Sequence, residues 1–155
     1  MNILKITAEN RAKYENTRFD FDGHVEVAAN LGTVSFLSIK TSGKLVALSN
    51  SSIKAGGSIK AGYGIETGGS IKAGGSIKAG GGIKAGDGIE AGDGIKAGWG
   101  IEAGWGIKAK WISAKLRIFA GLCAWRLPTA EETSIDAEIR SGTVCFGTRK
   151  ASGQG

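Results

Sequence analysis

The stretch Ile71-Lys72-Ala73-Gly74-Gly75-Ser76-Ile77-Lys78-Ala79-Gly80-Gly81-Gly82-Ile83 decides the fold. Its six-residue unit extends in both directions. Ile stands at 53, 59, 65, 71, 77, 83, 89, 95, 101 and 107, and Ala follows each Ile by two places, with Thr67 as the exception. Lys or Glu always separates the two, and Gly follows the Ala from Gly56 to Gly104. A helix cannot use this text: a period of six keeps no face of a 3.6-residue turn, and each interior Gly costs about 1 kcal/mol against Ala. A short strand can. In Ile-Lys-Ala the side chains alternate, so Ile and Ala face inward and the charge faces outward. The glycines then turn a corner, for which positive φ is the expected reason. One unit is too short to bury its own Ile, whereas stacked units form a continuous Ile/Ala column.

Charge sets the expected size of a coil. Two units per coil would place Lys60, Lys72, Lys84, Lys96 and Lys108 in one ladder, where neighbouring strands about 4.8 Å apart bring like charges together. Three units per coil give the columns Lys54/Lys72/Glu90/Lys108, Lys60/Lys78/Lys96 and Glu66/Lys84/Glu102. The 18-residue coil separates the lysines better and is the one expected.

The six-residue period with an aliphatic anchor resembles the hexapeptide-repeat parallel β-helices, over about residues 45–112. The resemblance implies an all-β fold, a single-chain parallel β-helix or solenoid. Those proteins place a small inward residue two places before the aliphatic one, whereas here the Ala after Ile takes that role. The best-known enzymes of the type are acyltransferases, which the resemblance implies would use a histidine base near a coil edge; the array from 45 to 112 contains no His.

The flanks read as less regular β structure. Phe19/Phe21, Val25/Val27, Val34/Phe36 and Leu45/Ala47 alternate before the array. After it the six-residue register breaks at Lys110-Trp111-Ile112. Leu116–Phe119, Leu122–Trp125 and Ile135–Phe146 then read as strands, with a loop from Leu127. The expected organisation is an N-terminal β cap at 1–44, the repeat solenoid at 45–112 and a C-terminal β cap at 113–155, all in one compact unit. Gly32-Thr33-Val34-Ser35-Phe36 and Gly142-Thr143-Val144-Cys145-Phe146 echo each other, which suggests related ends and leaves a homodimer open.

Twenty basic against fourteen acidic side chains give a net charge of +6, spread along the chain without a basic tail. Such a balance permits attraction to phosphate or to acidic protein surfaces. No run of about 18 apolar residues is present, so no membrane-spanning helix is expected. Met1–Lys5 does not read as a secretory leader, and a cytoplasmic location is expected.

The chemistry-bearing inventory is thin. His24 is the single histidine, and Cys123 and Cys145 are the two cysteines. They make neither a zinc set nor an evident Cys/His pair, and neither a metal nor a cofactor is expected. The recurrent G-x-G-x-x-A is a by-product of the repeat, since no helix follows it. The informative position is the corner residue of each unit, which runs Gly57, Tyr63, Gly69, Gly75, Gly81, Asp87, Asp93, Trp99, Trp105, Trp111. On an 18-residue coil the three Trp would take the three corners of one level and point outward.

Trp is costly to expose and is enriched at interface hot spots. The expected binding surface is therefore Trp99, Trp105 and Trp111 with Lys96 and Lys108, on a protein that is not an enzyme. The expected partner is a protein or a protein–nucleic-acid complex. Small stand-alone solenoids of this kind resemble phage or mobile-element inhibitors of host nucleic-acid machinery, anti-CRISPR-type proteins included. Direct nucleic-acid binding is the alternative, with Glu90 and Glu102 expected to interrupt a Lys/Trp track. A hexapeptide-repeat acyltransferase is the second alternative.

Overall fold

The computed structural model describes residues 2–121, 129, 130 and 132–149. Its strands are β1 (Ile3–Ile6), β2 (Arg18–Phe21), β3 (His24–Val27), β4 (Gly32–Phe36), β5 (Ser38–Thr41), β6 (Leu45–Ala47), β7 (Ser51–Ala55), β8 (Ile59–Ala61), β9 (Ile65–Thr67), β10 (Ile71–Ala73), β11 (Ile77–Ala79), β12 (Ile83–Ala85), β13 (Ile89–Ala91), β14 (Gly94–Ala97), β15 (Ile101–Ala103), β16 (Ile107–Ala120), β17 (Ser134–Phe146) and β18 (Thr148–Arg149). A one-turn helix, α1 (Arg11–Tyr14), lies between β1 and β2. Every strand pair is parallel, and the strands wind into a three-faced β-solenoid.

Face I stacks β1, β3, β6, β9, β12, β15 and the Ile118–Ala120 end of β16. Face II stacks β4, β7, β10, β13, the start of β16, the start of β17 and β18. Face III stacks β2, β5, β8, β11, β14 and the Ile112–Ala114 part of β16. Ile and Ala of the units are buried, Ala109 of the last one partly, and the Lys or Glu between them faces outward, as the alternation requires. The interior is one Ile/Ala column from Ile6 to Ala137. Thr67, in an Ala slot, is buried and donates its hydroxyl to the Gly69 carbonyl at 2.9 Å.

The expected 18-residue coil is present in the array: Ile65 pairs with Ile83, and Ile83 with Ile101. Towards the N-terminus the coil lengthens to 20, since Val25 pairs with Leu45 and Leu45 with Ile65. The additional residues sit at the corner between faces I and II, where Asn30 and Asn50 adopt φ of 62° and 58°. Their side chains stack, with Asn50 Nδ2 donating to Asn30 Oδ1 at 2.9 Å. Asn is among the few residues that tolerate this left-handed conformation. The β structure of both flanks therefore continues the same three-faced stack. Leu122–Pro128, which includes the expected 122–125 strand and Cys123, lies outside the described residues.

The corner glycines serve a different purpose from the one expected. None of those following the Ala from Gly56 to Gly104 has positive φ. Gly62, Gly80 and Gly98 lie directly over one another, as do Gly56, Gly74 and Gly92, and Gly68, Gly86 and Gly104. A Cβ on one would overlap the backbone carbonyl oxygen of the glycine one coil earlier. Close backbone approach, not backbone handedness, excludes a side chain there.

The N-terminal end is closed by α1, which stands in the first coil where a face II strand would otherwise be. Arg11 holds it down: Nη1 donates to the Leu31 carbonyl at 2.7 Å, and Nη2 to the Thr33 carbonyl at 2.9 Å and to Glu15 Oε1 at 2.7 Å. The Arg11 hydrogen bond holds the Glu15 carboxyl below its ordinary range. Tyr14, Phe19 and Phe36 pack beneath, Tyr14 edge-on to Phe19 at 5.3 Å. Covering an edge in this way prevents pairing with another chain.

The echo between the two flanks has no structural counterpart. Val25 and Val34 lie on faces I and II one corner apart, whereas Ile135 and Val144 are separated by a face III passage through Ile139.

Candidate functional site

The outward residue of each strand forms a column, and the three columns differ in charge. On face I it reads Lys5, Glu26, Val46, Glu66, Lys84, Glu102, Phe119. On face II it reads Ser35, Lys54, Lys72, Glu90, Lys108, Asp136. Both columns mix signs, and Lys72 Nζ lies 3.8 Å from Glu90 Oε2. Face III reads Asp20, Lys40, Lys60, Lys78, Lys96, Ser113, so four lysines occupy consecutive rungs. Asp20 pairs with Lys40 at 3.8 Å, and among the described residues no carboxylate pairs with Lys60, Lys78 or Lys96. Like charges on adjacent strands destabilise a sheet by roughly 0.2–1 kcal/mol per pair. Lys78→Glu, which gives face III the mixed signs of the other two faces, is expected to stabilise the fold by about 0.5–1 kcal/mol in urea unfolding.

The corner between faces III and I carries an apolar ridge beside this ladder. Backbone hydrogen bonds stack Gly43, Tyr63, Gly81, Trp99 and Leu116 in one column. Tyr63, Trp99 and Leu116 are 53%, 66% and 59% exposed. On the face I side of the ridge, Trp99, Leu116, Phe119 and Ile83 line a cleft of about 540 Å³, with Glu66, Lys84, Glu102 and Arg117 at its polar margin.

The expected five-residue surface divides. Trp99 and Lys96 lie together, on the ridge and at the end of the lysine ladder. Trp105 stands at the corner between faces I and II, stacked on Asp87, and shares a separate shallow groove with Lys108. Trp111 does not occupy a corner. Lys110 takes that place, its N–H bonding to the Asp93 carbonyl at 2.8 Å, and Trp111 falls one residue further on, opposite Gly94 on face III. The five-residue step from Ile107 to Ile112 causes this shift. Trp111 lies flat where a Cβ on Gly94 would otherwise be, and the Arg140 guanidinium covers its ring at 4.6 Å. It is a packing residue, half-buried beside Lys96.

His24 serves the backbone: its Nδ1 accepts the Lys44 N–H at 2.9 Å. Cys145 is exposed, and its rung on face I lies six rungs from that of His24, about 29 Å at the strand spacing. The two cannot form a nucleophile–base pair. Among the described residues no three His, Cys, Asp or Glu side chains cluster as metal ligands, and no helix is long and apolar enough to cross a membrane.

Sequence reading missed Tyr63 and Leu116 as neighbours of Trp99, and Lys40 as the first lysine of the ladder. Leu116 lies 17 residues after Trp99, and Lys40 lies 20 before Lys60, so neither fits an 18-residue spacing. Comparison of the chain with protein-family models, with curated proteins and with solved structures returns no match.

Proposed function

We propose that this chain is a non-catalytic binding module of the cytoplasm that docks a protein, alone or within a protein–nucleic-acid complex, through the cleft beside Trp99. The observation that carries the reading is the convergence of Trp99, Leu116 and Phe119 on one open cleft, beside a face I column that reads Glu66, Lys84, Glu102 along the array. An apolar centre with a charged margin is the anatomy of a protein interface, and an exposed Trp is the residue type that most often dominates one. The exposed thiol of Cys145 suits a reducing compartment. With a basic face adjoining the cleft, the form of module we favour is an inhibitor aimed at host nucleic-acid machinery, of the anti-CRISPR type.

The test is affinity capture from nuclease-treated host lysate. The wild-type chain should retain a stoichiometric protein, and the Trp99→Ala/Leu116→Ala variant should retain at least tenfold less of it. Circular dichroism checks that the variant is folded. Equal capture by both chains, or capture of nothing by the wild type, overturns the proposal.

A further inference from the structure

We infer that face III is a track for a single-stranded nucleic acid, with the backbone phosphates on Lys40, Lys60, Lys78 and Lys96 and bases stacked on Tyr63 and Trp99. The inference goes beyond the cleft reading and does not depend on it.

Three observations converge. First, the four lysines stand in consecutive rungs spanning about 14 Å, and beyond Asp20 no carboxylate enters their column. Glu90 and Glu102, which interrupt the lysines in the linear text, lie on faces II and I. A column of unneutralised like charge costs stability, and a polyanion laid along it removes that cost while releasing counterions. Second, Tyr63 and Trp99 border the same column, at the corner three residues beyond Lys60 and Lys96 respectively. They are two rungs apart, about 10 Å, with Gly81 leaving the space between them bare. Third, each face is only as wide as its short strands, about 10 Å for three residues. That accommodates one strand with its bases turned towards the ridge. A duplex keeps its base faces stacked inside and offers nothing to Tyr63 or Trp99.

The experiment uses the full chain and fluorescence anisotropy with labelled twenty-nucleotide oligothymidylate and oligouridylate, the two arms separating DNA from RNA. At 50 mM salt at least one should bind, with Kd in about the 1–100 µM range expected of phosphate-driven contact. Affinity should fall about 50-fold between 50 and 200 mM salt, as four neutralised phosphates on a single strand require. Lys60→Gln/Lys78→Gln should flatten the log–log salt slope by about 1.4 and weaken binding about tenfold. Tyr63→Ala, which leaves the cleft residues in place, should weaken it about fivefold or more. Lys54→Gln/Lys72→Gln, which removes the same charge from face II, should retain wild-type affinity. The inference is overturned by absence of binding at 50 mM salt, or by equal loss in the two lysine pairs. Duplex bound as tightly as single strand, or displacement by polyglutamate as effective per charge as by oligonucleotide, also overturns it. Lys60 and Lys78 do not line the cleft, so these outcomes leave the protein-docking proposal to its own test.

Discussion

Ile77→Ala is expected to lower the free energy of unfolding by about 3 kcal/mol, within the 2–5 kcal/mol range for truncating a buried Ile. Ile77 is fully buried and stands between Ile59 and Ile95 in the face III stack. Its neighbours cannot move in to fill the void, because each rung is tied by ladder hydrogen bonds to the rungs above and below. In a linear stack one residue also belongs to two rung-to-rung interfaces, so both are weakened. Ile3→Ala provides the comparison: Ile3 is 61% exposed on β1, and its loss should cost less than about 0.5 kcal/mol. Urea unfolding of the two variants measures the contrast. A cost below 1 kcal/mol at Ile77 would contradict the rigid-column picture.

Gly80→Ala should cost about as much while adding only a methyl group. Its Cβ would overlap the carbonyl oxygen of Gly62, and the obstacle is backbone on both sides of the corner. Relief requires separating two coils, which loosens the Ile columns on the adjoining faces, so a loss of about 3 kcal/mol is expected, at the upper end for overpacking. The adjacent Gly81 is different: a Cβ there meets its nearest atom, the Gly64 nitrogen, at 3.3 Å. Gly81→Ala also reduces the freedom of the unfolded chain, so it should lie within about 1 kcal/mol of neutral. Thermal unfolding of the two single-methyl variants compares them directly. Equal effects would show that the glycines are there for flexibility after all.

The array was legible because one residue type does one job at each position. Ile and Ala at i and i+2 can only be the inward side of a short strand, and three units per coil followed from keeping lysines apart. Along the array the charges alternate on face I, whereas face II stacks Lys54 on Lys72 and face III stacks Lys60, Lys78 and Lys96 with Lys40 above them. The requirement for Gly at the corner was visible, but its cause was not, since close approach between coils is a property of the stack. Beyond the array, legibility fell where coil length changed. The Asn30/Asn50 corner lengthens a coil by two, and the step to Ile112 shortens one by one. Either change moves a side chain from a corner to a face, as it moved Trp111. The candidate site lies where the regular array meets this irregular end, so Trp99 was found and its neighbours Leu116 and Phe119 were not.

The near-identity of the units between Ile71 and Ala85 has a consequence for how the chain finds its start. Ile-Lys-Ala-Gly in one unit packs as well as in the next, so burial alone does not distinguish the native winding from one displaced by six residues. A displaced winding would forfeit the clamp of Arg11 on Leu31 and Thr33, the Asn30/Asn50 pair, and the seat of Trp111 on Gly94 under Arg140. These contacts occur once each, and all lie in the first coils or the last. The repetitive middle holds much of the buried Ile/Ala column and almost none of the phase; the phase is supplied by the few unrepeated residues at the two ends.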